Sequence, residues 1–246
     1  MTISAAEKER YTRQMAIHEW GEEGQEKLRD SSVFIAGAGG LGCPVATSLA
    51  LAGVGRLVIC DCDTVEHSNL NRQFLHNEAD VELEKAQSAA YSLKQLNSSC
   101  EVEAVTAYID GANIATLAAG CDIIVDCLDN LEARMALNGY CVEHTIPLVH
   151  GGLWGFDGRL SFLHPPETPC LRCLYQDALP ESTIPVAGVT PIIMGGMQAA
   201  EVLKYLLNMG QLTRGRMILC SLDTMTFHEL PAARDEDCPV CGAMAP

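Results

Sequence analysis

Basic residues are scarce in this chain of 246 residues: 16 Lys and Arg stand against 32 Asp and Glu, a formal net charge of −16. Contacts with nucleic-acid phosphates or an anionic bilayer need surplus Lys and Arg, so neither kind of partner is expected. The few basic residues beside a candidate site therefore matter more than the total. Nothing at the N-terminus resembles a signal sequence, because Met1 to Arg13 is polar and charged. A cytoplasmic location is expected, and with it reduced thiols, so the 12 cysteines do not imply disulfides. One stretch, Ser182 to Ala200, has no charge, but Pro185, Pro191, Gly188, Gly195 and Gly196 interrupt it. It reads as a buried loop and helix, not as a membrane span.

What is present organises itself around Val33 to Phe74. An apolar run, Val33 to Ala36, enters Gly37-Ala38-Gly39-Gly40-Leu41-Gly42; a small-residue helix to about Ala52 then leads into a second strand, Arg56 to Asp61. Gly37, Gly39, Gly40 and Gly42 allow a sharp turn and close approach to a phosphate, and the helix behind them offers free N–H groups to an anion. Asp61, at the strand end, is placed to accept hydrogen bonds from ribose hydroxyls. Alone, this pattern fits any nucleotide, most often that of a dehydrogenase. The segment Asp61 to Phe74 argues for different chemistry. It sets Asp61, Asp63, Asn69 and Arg72 beyond the strand, in the crevice where open α/β sheets bind ligands. A hydride donor needs no cation there, whereas a triphosphate losing pyrophosphate does.

At these residues the chain resembles the ThiF/MoeB/HesA family, bacterial relatives of ubiquitin-activating enzymes. The likeness runs from Arg10-Tyr11-x-Arg13-Gln14 through the AGAGGLG turn, the D-x-D-x-V-x-x-S-N-L-x-R-Q-F run at 61 to 74, Lys85 and Asp126-Cys127-Leu128-Asp129-Asn130 to two CxxC pairs. It implies ATP-dependent adenylation of the C-terminal glycine of a small ubiquitin-like sulfur carrier ending in Gly-Gly, of the MoaD or ThiS kind. It also implies a nucleotide shell of the turn glycines with Asp61, Asp63, Ser68, Asn69, Leu70, Asn71, Arg72, Gln73, Lys85, Asp129 and Asn130, and a homodimer in which Arg13 reaches the phosphates from the partner subunit. Without the resemblance Arg13 would be a solvated surface charge and Lys85 a surface residue paired with Glu82 or Glu84. With it, Lys85 and Arg72 neutralise the departing pyrophosphate. Asp129 is expected to hold the Mg2+ of ATP, since an acid facing phosphates repels them unless a cation intervenes; the alternative is a helix cap by Asp129 or Asn130.

Cys170-Leu171-Arg172-Cys173 and Cys238-Pro239-Val240-Cys241 have the composition of a closed tetrahedral zinc site, with redox pairs or an iron–sulfur cluster as alternatives. The 64 residues between the pairs suggest a clip from the C-terminus to the body. Cysteines 43, 100, 121, 141 and 220 read as core fillers, as does Cys60; Cys62 and Cys127 flank the expected nucleotide ligands. No cysteine occurs from Leu174 to Leu219, and the tract Pro180 to Pro191 is short for the family's crossover, so the chemistry is expected to stop at the acyl-adenylate. No sulfurtransferase domain is read in the chain, so sulfur is expected from a separate donor protein.

The expected fold is a single α/β adenylation domain over residues 1–246, Rossmann-like, with a mixed sheet that is parallel in its N-terminal half and antiparallel in its C-terminal half. Helices are expected at Ala5–Ile17, Gly21–Arg29, Val81–Leu96 (Leu83, Ala86, Ala90, Leu93 and Leu96 facing the sheet), Asp110–Ala119, Leu131–His144 and Gly195–Asn208. Strands are expected at Glu101–Ala107, Asp122–Asp126, Ile146–Gly152, Gly158–His164, Arg216–Leu222 and Met225–Leu230, with Asp157-Gly158 as a hairpin turn. Three rivals remain on sequence: an NAD-dependent dehydrogenase, an enzyme adenylating a tRNA-nucleoside carboxylate, and a non-catalytic nucleotide-binding scaffold.

Overall fold

The computed structural model describes residues 3–175 and 185–244. Strands β1 (Ser32–Ala36), β2 (Arg56–Cys60), β3 (Glu101–Val105), β4 (Ile123–Asp126), β5 (Leu148–Trp154), β6 (Asp157–Leu163), β7 (Arg216–Ser221) and β8 (Thr226–Pro231) form one sheet in the order β3-β2-β1-β4-β5-β6-β7-β8. Pairing is parallel from β3 to β5 and antiparallel from β5 to β8. The expected mixed sheet is therefore the one observed. The order of strand addition reverses about β1: the chain winds outward to β2 and β3, then returns to place β4 on the other side of β1. Such a switch point opens a crevice beyond the strand ends.

β1 is buried along its whole length, which explains its unbroken apolar run. Its alternation still sorts two cores. Val33 and Ile35 join Leu57 and Ile59 beneath helices α3 (Gly42–Ala52), α4 (Lys85–Leu96) and α8 (Val189–Leu207). Phe34 and Ala36 join Val58 and Ile124 beneath α5 (Ile114–Leu117), α6 (Leu131–His144) and α7 (Leu171–Leu174). Two N-terminal helices, α1 (Ala5–Met15) and α2 (Gly21–Arg29), pack outside the first layer. They are pinned by polar groups: Gln25 Nε2 donates to Ala52 O at 2.9 Å, and Asn97 Nδ2 donates to Tyr11 Oη at 2.9 Å. None of the helices among the described residues is long and apolar enough to cross a membrane.

Several expected boundaries are corrected. The helix placed at Val81 starts at Lys85, because Glu82 N and Leu83 O pair with Val65 and Glu82 adopts φ 73°. Leu83 and Leu96 are exposed and do not face the sheet, unlike Ala86, Ala90 and Leu93. The helix placed at Asp110–Ala119 shrinks to α5, since the Asp110 carboxylate accepts from Ala112 N and Asn113 N and folds those residues into a turn. Asp122 leaves its strand to accept from Ser32 N at 2.8 Å. Ile17 is exposed beyond the end of α1. The β5–β6 turn is Gly155-Phe156, not Asp157-Gly158; Gly158 sits in β6 because a Cβ there would meet Met194 Sδ at 2.3 Å. α8 starts before Gly195, whose lack of a side chain serves contact with Pro44, 2.4 Å from a built Cβ. Of the short tract Pro180 to Pro191, positions 180–184 lie outside the described residues.

Candidate nucleotide-binding cleft

The glycine turn follows β1 and opens on the switch point. Gly37 takes φ 100°, and a Cβ on it would meet Cys127 O at 2.8 Å. Gly42 is the first residue of α3, and a Cβ there would stand 2.0 Å from Gly37 O, so it lets the helix start against the turn. Asp61 ties the turn to the second strand: its carboxylate accepts from Ala38 N at 2.7 Å and Asp63 N at 2.9 Å. Burial raises its pKa, against those two N–H groups. Beneath the turn His76 bridges Ala38 O and Ser88 Oγ, at 3.0 and 2.8 Å. A carbonyl only accepts, so Nε2 carries the proton and Nδ1 accepts from Ser88; burial lowers the His76 pKa, in keeping with a neutral ring.

Around this turn lies a cavity of about 550 Å³, within the range of small-molecule sites. Gly37, Gly39, Gly40, Asp61, Asp63, Arg72, Gln73, Lys85, Asp129 and Asn130 all line it. Lys85 opens α4, and its Nζ reaches Asp63 Oδ2 at 2.8 Å; its side chain is 9% exposed against 64% for Asp63. The alternative pairing with Glu82 or Glu84 is thus replaced by a buried ammonium at the cleft edge. Arg72 Nη1 donates to Ser68 O and Asn71 Oδ1, at 2.8 and 2.9 Å, and its stem lies over Gly40. Ser68, Asn69, Leu70 and Asn71 do not line the cleft. Asn69 is buried and accepts from Glu66 N at 3.0 Å, while Ser68 Oγ donates to Glu66 at 2.9 Å. Their visible work is to fold the short turn His67–Asn69 that presents Arg72 and Gln73. Arg13 is exposed near the end of α1 and lines no part of this chain's own cleft.

Asn130 caps α6, its Oδ1 accepting from Ala133 N at 2.9 Å. That resolves the choice of cap and leaves Asp129 exposed on the cleft wall, with no side-chain partner among the described residues. Cys62 is exposed and Cys127 buried, and both line the cleft; burial pushes the Cys127 thiol well above its ordinary value.

A buried polar chain under the cleft is not apparent from the sequence. Asp126 Oδ2 meets His150 Nδ1 at 2.7 Å, His150 Nε2 meets Tyr175 Oη at 2.9 Å, and Arg134 Nε stands 3.3 Å from Asp126 Oδ2. Arg134 also donates to Leu128 O and, at 3.1 Å, to Gly151 O. Burial works to raise the Asp126 carboxyl, but Arg134 and His150 outweigh it and hold it below its usual value. Burial lowers His150, against Asp126. The carboxylate therefore accepts from Nδ1–H, and Nε2 accepts from the tyrosine hydroxyl. The available signal was a charged residue ending an apolar strand in Asp126 and a histidine inside another in His150.

The four cysteines of the two CxxC pairs converge. Cys170 Sγ lies 3.9 Å from Cys173 and 3.8 Å from Cys238, and Cys173 lies 3.5 Å from Cys241. Disulfide sulfurs would be about 2 Å apart. Four thiolates at about 2.3 Å from one ion stand about 3.8 Å from each other, so the set fits a tetrahedral metal. Burial alone would raise the Cys238 thiol, but the N–H groups of Cys241 and Val240 point at it and bring it down to about 7. Asn138 on α6 holds the set to the body, accepting from Leu171 N at 2.7 Å and donating to Cys170 Sγ at 3.7 Å.

Turn, switch-point cavity and cation pair define a nucleotide-binding α/β protein. The ThiF family pattern matches residues 11–240, and the chain belongs to that family. It is 42% identical over 98% of its length to the SAMP-activating enzyme E1 of Haloferax volcanii, spanning 92% of that protein. Identity is 39%, over 98% of the chain and 93% of the relative, to the sulfur carrier protein adenylyltransferase of Thermus thermophilus. Among solved structures, E. coli MccB with ATP superposes with a TM-score of 0.85 at 25% identity, over 95% of this chain and 74% of that one.

Proposed function

We propose that this protein is an adenylyltransferase that uses ATP to activate the C-terminal glycine of a ubiquitin-like sulfur carrier, giving carrier acyl-AMP and pyrophosphate. The observation that carries the reading is the placement of Lys85, Arg72 and Asp129 around one glycine turn at the switch point. Two relatives named for adenylation or carrier activation match nearly end to end, which supports it over a dehydrogenase or a passive scaffold. The formal charge of −16 speaks against a tRNA substrate.

In this reading the phosphates lie over Gly37 to Gly42 and the ribose is held by Asp61. The carrier carboxylate, already ionised near neutral pH, attacks the α-phosphorus without a general base. The bond from that phosphorus to the bridging oxygen breaks, and its electron pair leaves with pyrophosphate. Arg72 and Lys85 meet the charge that moves onto the leaving group, so catalysis is positioning plus neutralisation. The Asp129 carboxylate, exposed on the cleft wall with no side-chain partner among the described residues, would hold the Mg2+ of ATP, and that ion would shield the phosphate charge. Zn2+ fits the four cysteines as a structural ion, with no open position for chemistry. Arg13 is assigned to the cleft of a second subunit in a homodimer, and a separate protein donates sulfur. Ser68, Asn69, Leu70 and Asn71 support this cleft through the turn they build, and Gln73 and Asn130 border it.

The test is carrier-dependent ATP–pyrophosphate exchange with purified small carriers ending in Gly-Gly. Exchange that needs both carrier and Mg2+ supports the assignment. ATP binding with no exchange for any carrier overturns it.

A further inference from the structure

The adenylation reading accounts for the cations on the β1–β2 side of the cleft and leaves another on the opposite side. Arg159 is on β6, directly across from Gly152 on β5, and both line the cavity. β6 is three strand spacings from β1, about 14 Å, so this guanidinium is based across the cleft from the glycine turn. Its setting is built. Gly152 supplies no side chain, and a Cβ there would meet Tyr175 Oη at 3.7 Å, His150 Nε2 at 3.7 Å and Arg159 Cδ at 3.9 Å. The arginine stem thus runs through the space over Gly152, against the buried Tyr175–His150–Asp126 chain.

The neighbouring arginine is used up. Arg134 is buried and bound to Asp126 and to two carbonyls. Arg159 is half-buried and has no hydrogen-bond or ion-pair partner among the described residues. A half-buried guanidinium kept free on a cavity wall has a planar fork to offer, and a carboxylate matches it.

We propose that Arg159 receives the terminal carboxylate of the incoming carrier chain and holds it for attack on the α-phosphate. This rests on the adenylation reading and deepens it, dividing the cleft into a phosphate side, with Lys85 and Arg72, and a carboxylate side. One carboxylate oxygen stays in the Arg159 fork while the other forms the bond to phosphorus. Arg159 itself exchanges no proton, and once the anion has become the mixed anhydride its hold weakens.

The experiment first measures exchange by the unmodified enzyme with a panel of Gly-Gly carriers. Binding of the most active carrier is then compared by calorimetry, as free acid and as C-terminal amide, to the unmodified enzyme, Arg159→Gln and Arg159→Lys. The unmodified enzyme is expected to prefer the acid by about 10- to 100-fold, the scale of a charged hydrogen-bonded pair. Arg159→Gln should abolish that preference and raise the carrier KM by a similar factor, with the ATP KM within about twofold; Arg159→Lys should fall between. Equal binding of acid and amide by the unmodified enzyme overturns the proposal even if a variant fails to fold. An ATP KM that rises with the carrier KM overturns it too, by placing Arg159 on the phosphates. Normal exchange with an unchanged carrier KM in Arg159→Gln defeats this assignment alone, whereas no exchange by the unmodified enzyme with any carrier defeats the adenylation reading and this one with it.

Discussion

Replacing Lys85 by Met separates charge from packing at the cleft. The Lys85 side chain is 9% exposed, so most of its work for stability is done by its methylene stem, which Met reproduces in length and apolarity. Its partner Asp63 is 64% exposed and returns to water when the ammonium is removed. An ion pair with one solvated member contributes about 0–1 kcal/mol. Folding stability should therefore fall by about 1 kcal/mol or less, a shift of about 2–4 °C for a chain of this size. The reaction senses the charge differently. A unit charge about 4 Å from a growing negative charge gains about 4 kcal/mol at an effective dielectric constant of 20, and removing one fixed donor from a charged transition state costs about 10²–10³ in rate. Carrier-dependent pyrophosphate exchange at saturating ATP should thus fall by two to three orders of magnitude in a protein that melts almost normally. Exchange within about tenfold of the unmodified enzyme, in folded Lys85→Met, would refute the role given to this cation.

Arg72→Ala should keep part of its ATP affinity, read by equilibrium dialysis, yet lose exchange by about 10²-fold or more; Asp129→Asn should raise the Mg2+ needed for half-maximal exchange, while its melting temperature stays within a few degrees. Gly42→Ala places a Cβ 2.0 Å from Gly37 O and should cost about 3 kcal/mol in denaturant unfolding, because the contact is backbone on both sides. The unmodified protein should bind one Zn2+ per chain by mass spectrometry under native conditions, and chelation should raise hydrogen exchange at residues 234–244 before that of β1. Thermal stability should peak near neutral pH. His76 and His150 have lowered pKa values, so the unfolded chain binds more protons below about pH 6.5 and stability falls there. The buried thiols of Cys43 and Cys60 are raised to about 12, so above about pH 8.5 the unfolded chain ionises first and stability falls again. A melting temperature that rises steadily from pH 7 to pH 10 would contradict this.

The strand–glycine–helix–strand unit was legible because its constraints are local: Gly37 needs its φ, and the apolar run of β1 needs cover on both faces. The CxxC pairs were legible for the same reason, each pair being one turn of chain. The misjudged boundaries have two causes: a pairing distant in sequence that overrode local propensity, and a side chain that bound its own neighbouring backbone. Val65 draws Glu82 and Leu83 out of a helix, and Asp110 spends its carboxylate on two N–H groups within a turn. Gly158 and Gly195 read as punctuation in one dimension, yet both are gaps left for Met194 and Pro44. Site residues showed the same divide. Arg72, Lys85 and Asp129 reach the cleft from motif positions, but Arg134, His150 and Tyr175 meet only because β4, β5, α6 and the end of α7 converge. Asn69, a motif residue, turned out to be a buried staple of the loop behind Arg72.

α6 carries Arg134 on the cleft floor and Asn138 on the cysteine set, four positions and about 6 Å of axial rise apart. Tyr175, just beyond Cys173, closes the same span from the other end by its bond to His150. The knot of thiols and the floor of the cleft thus share one short strut, so the same helix that seats Cys170 through Asn138 also seats Gly151 through Arg134.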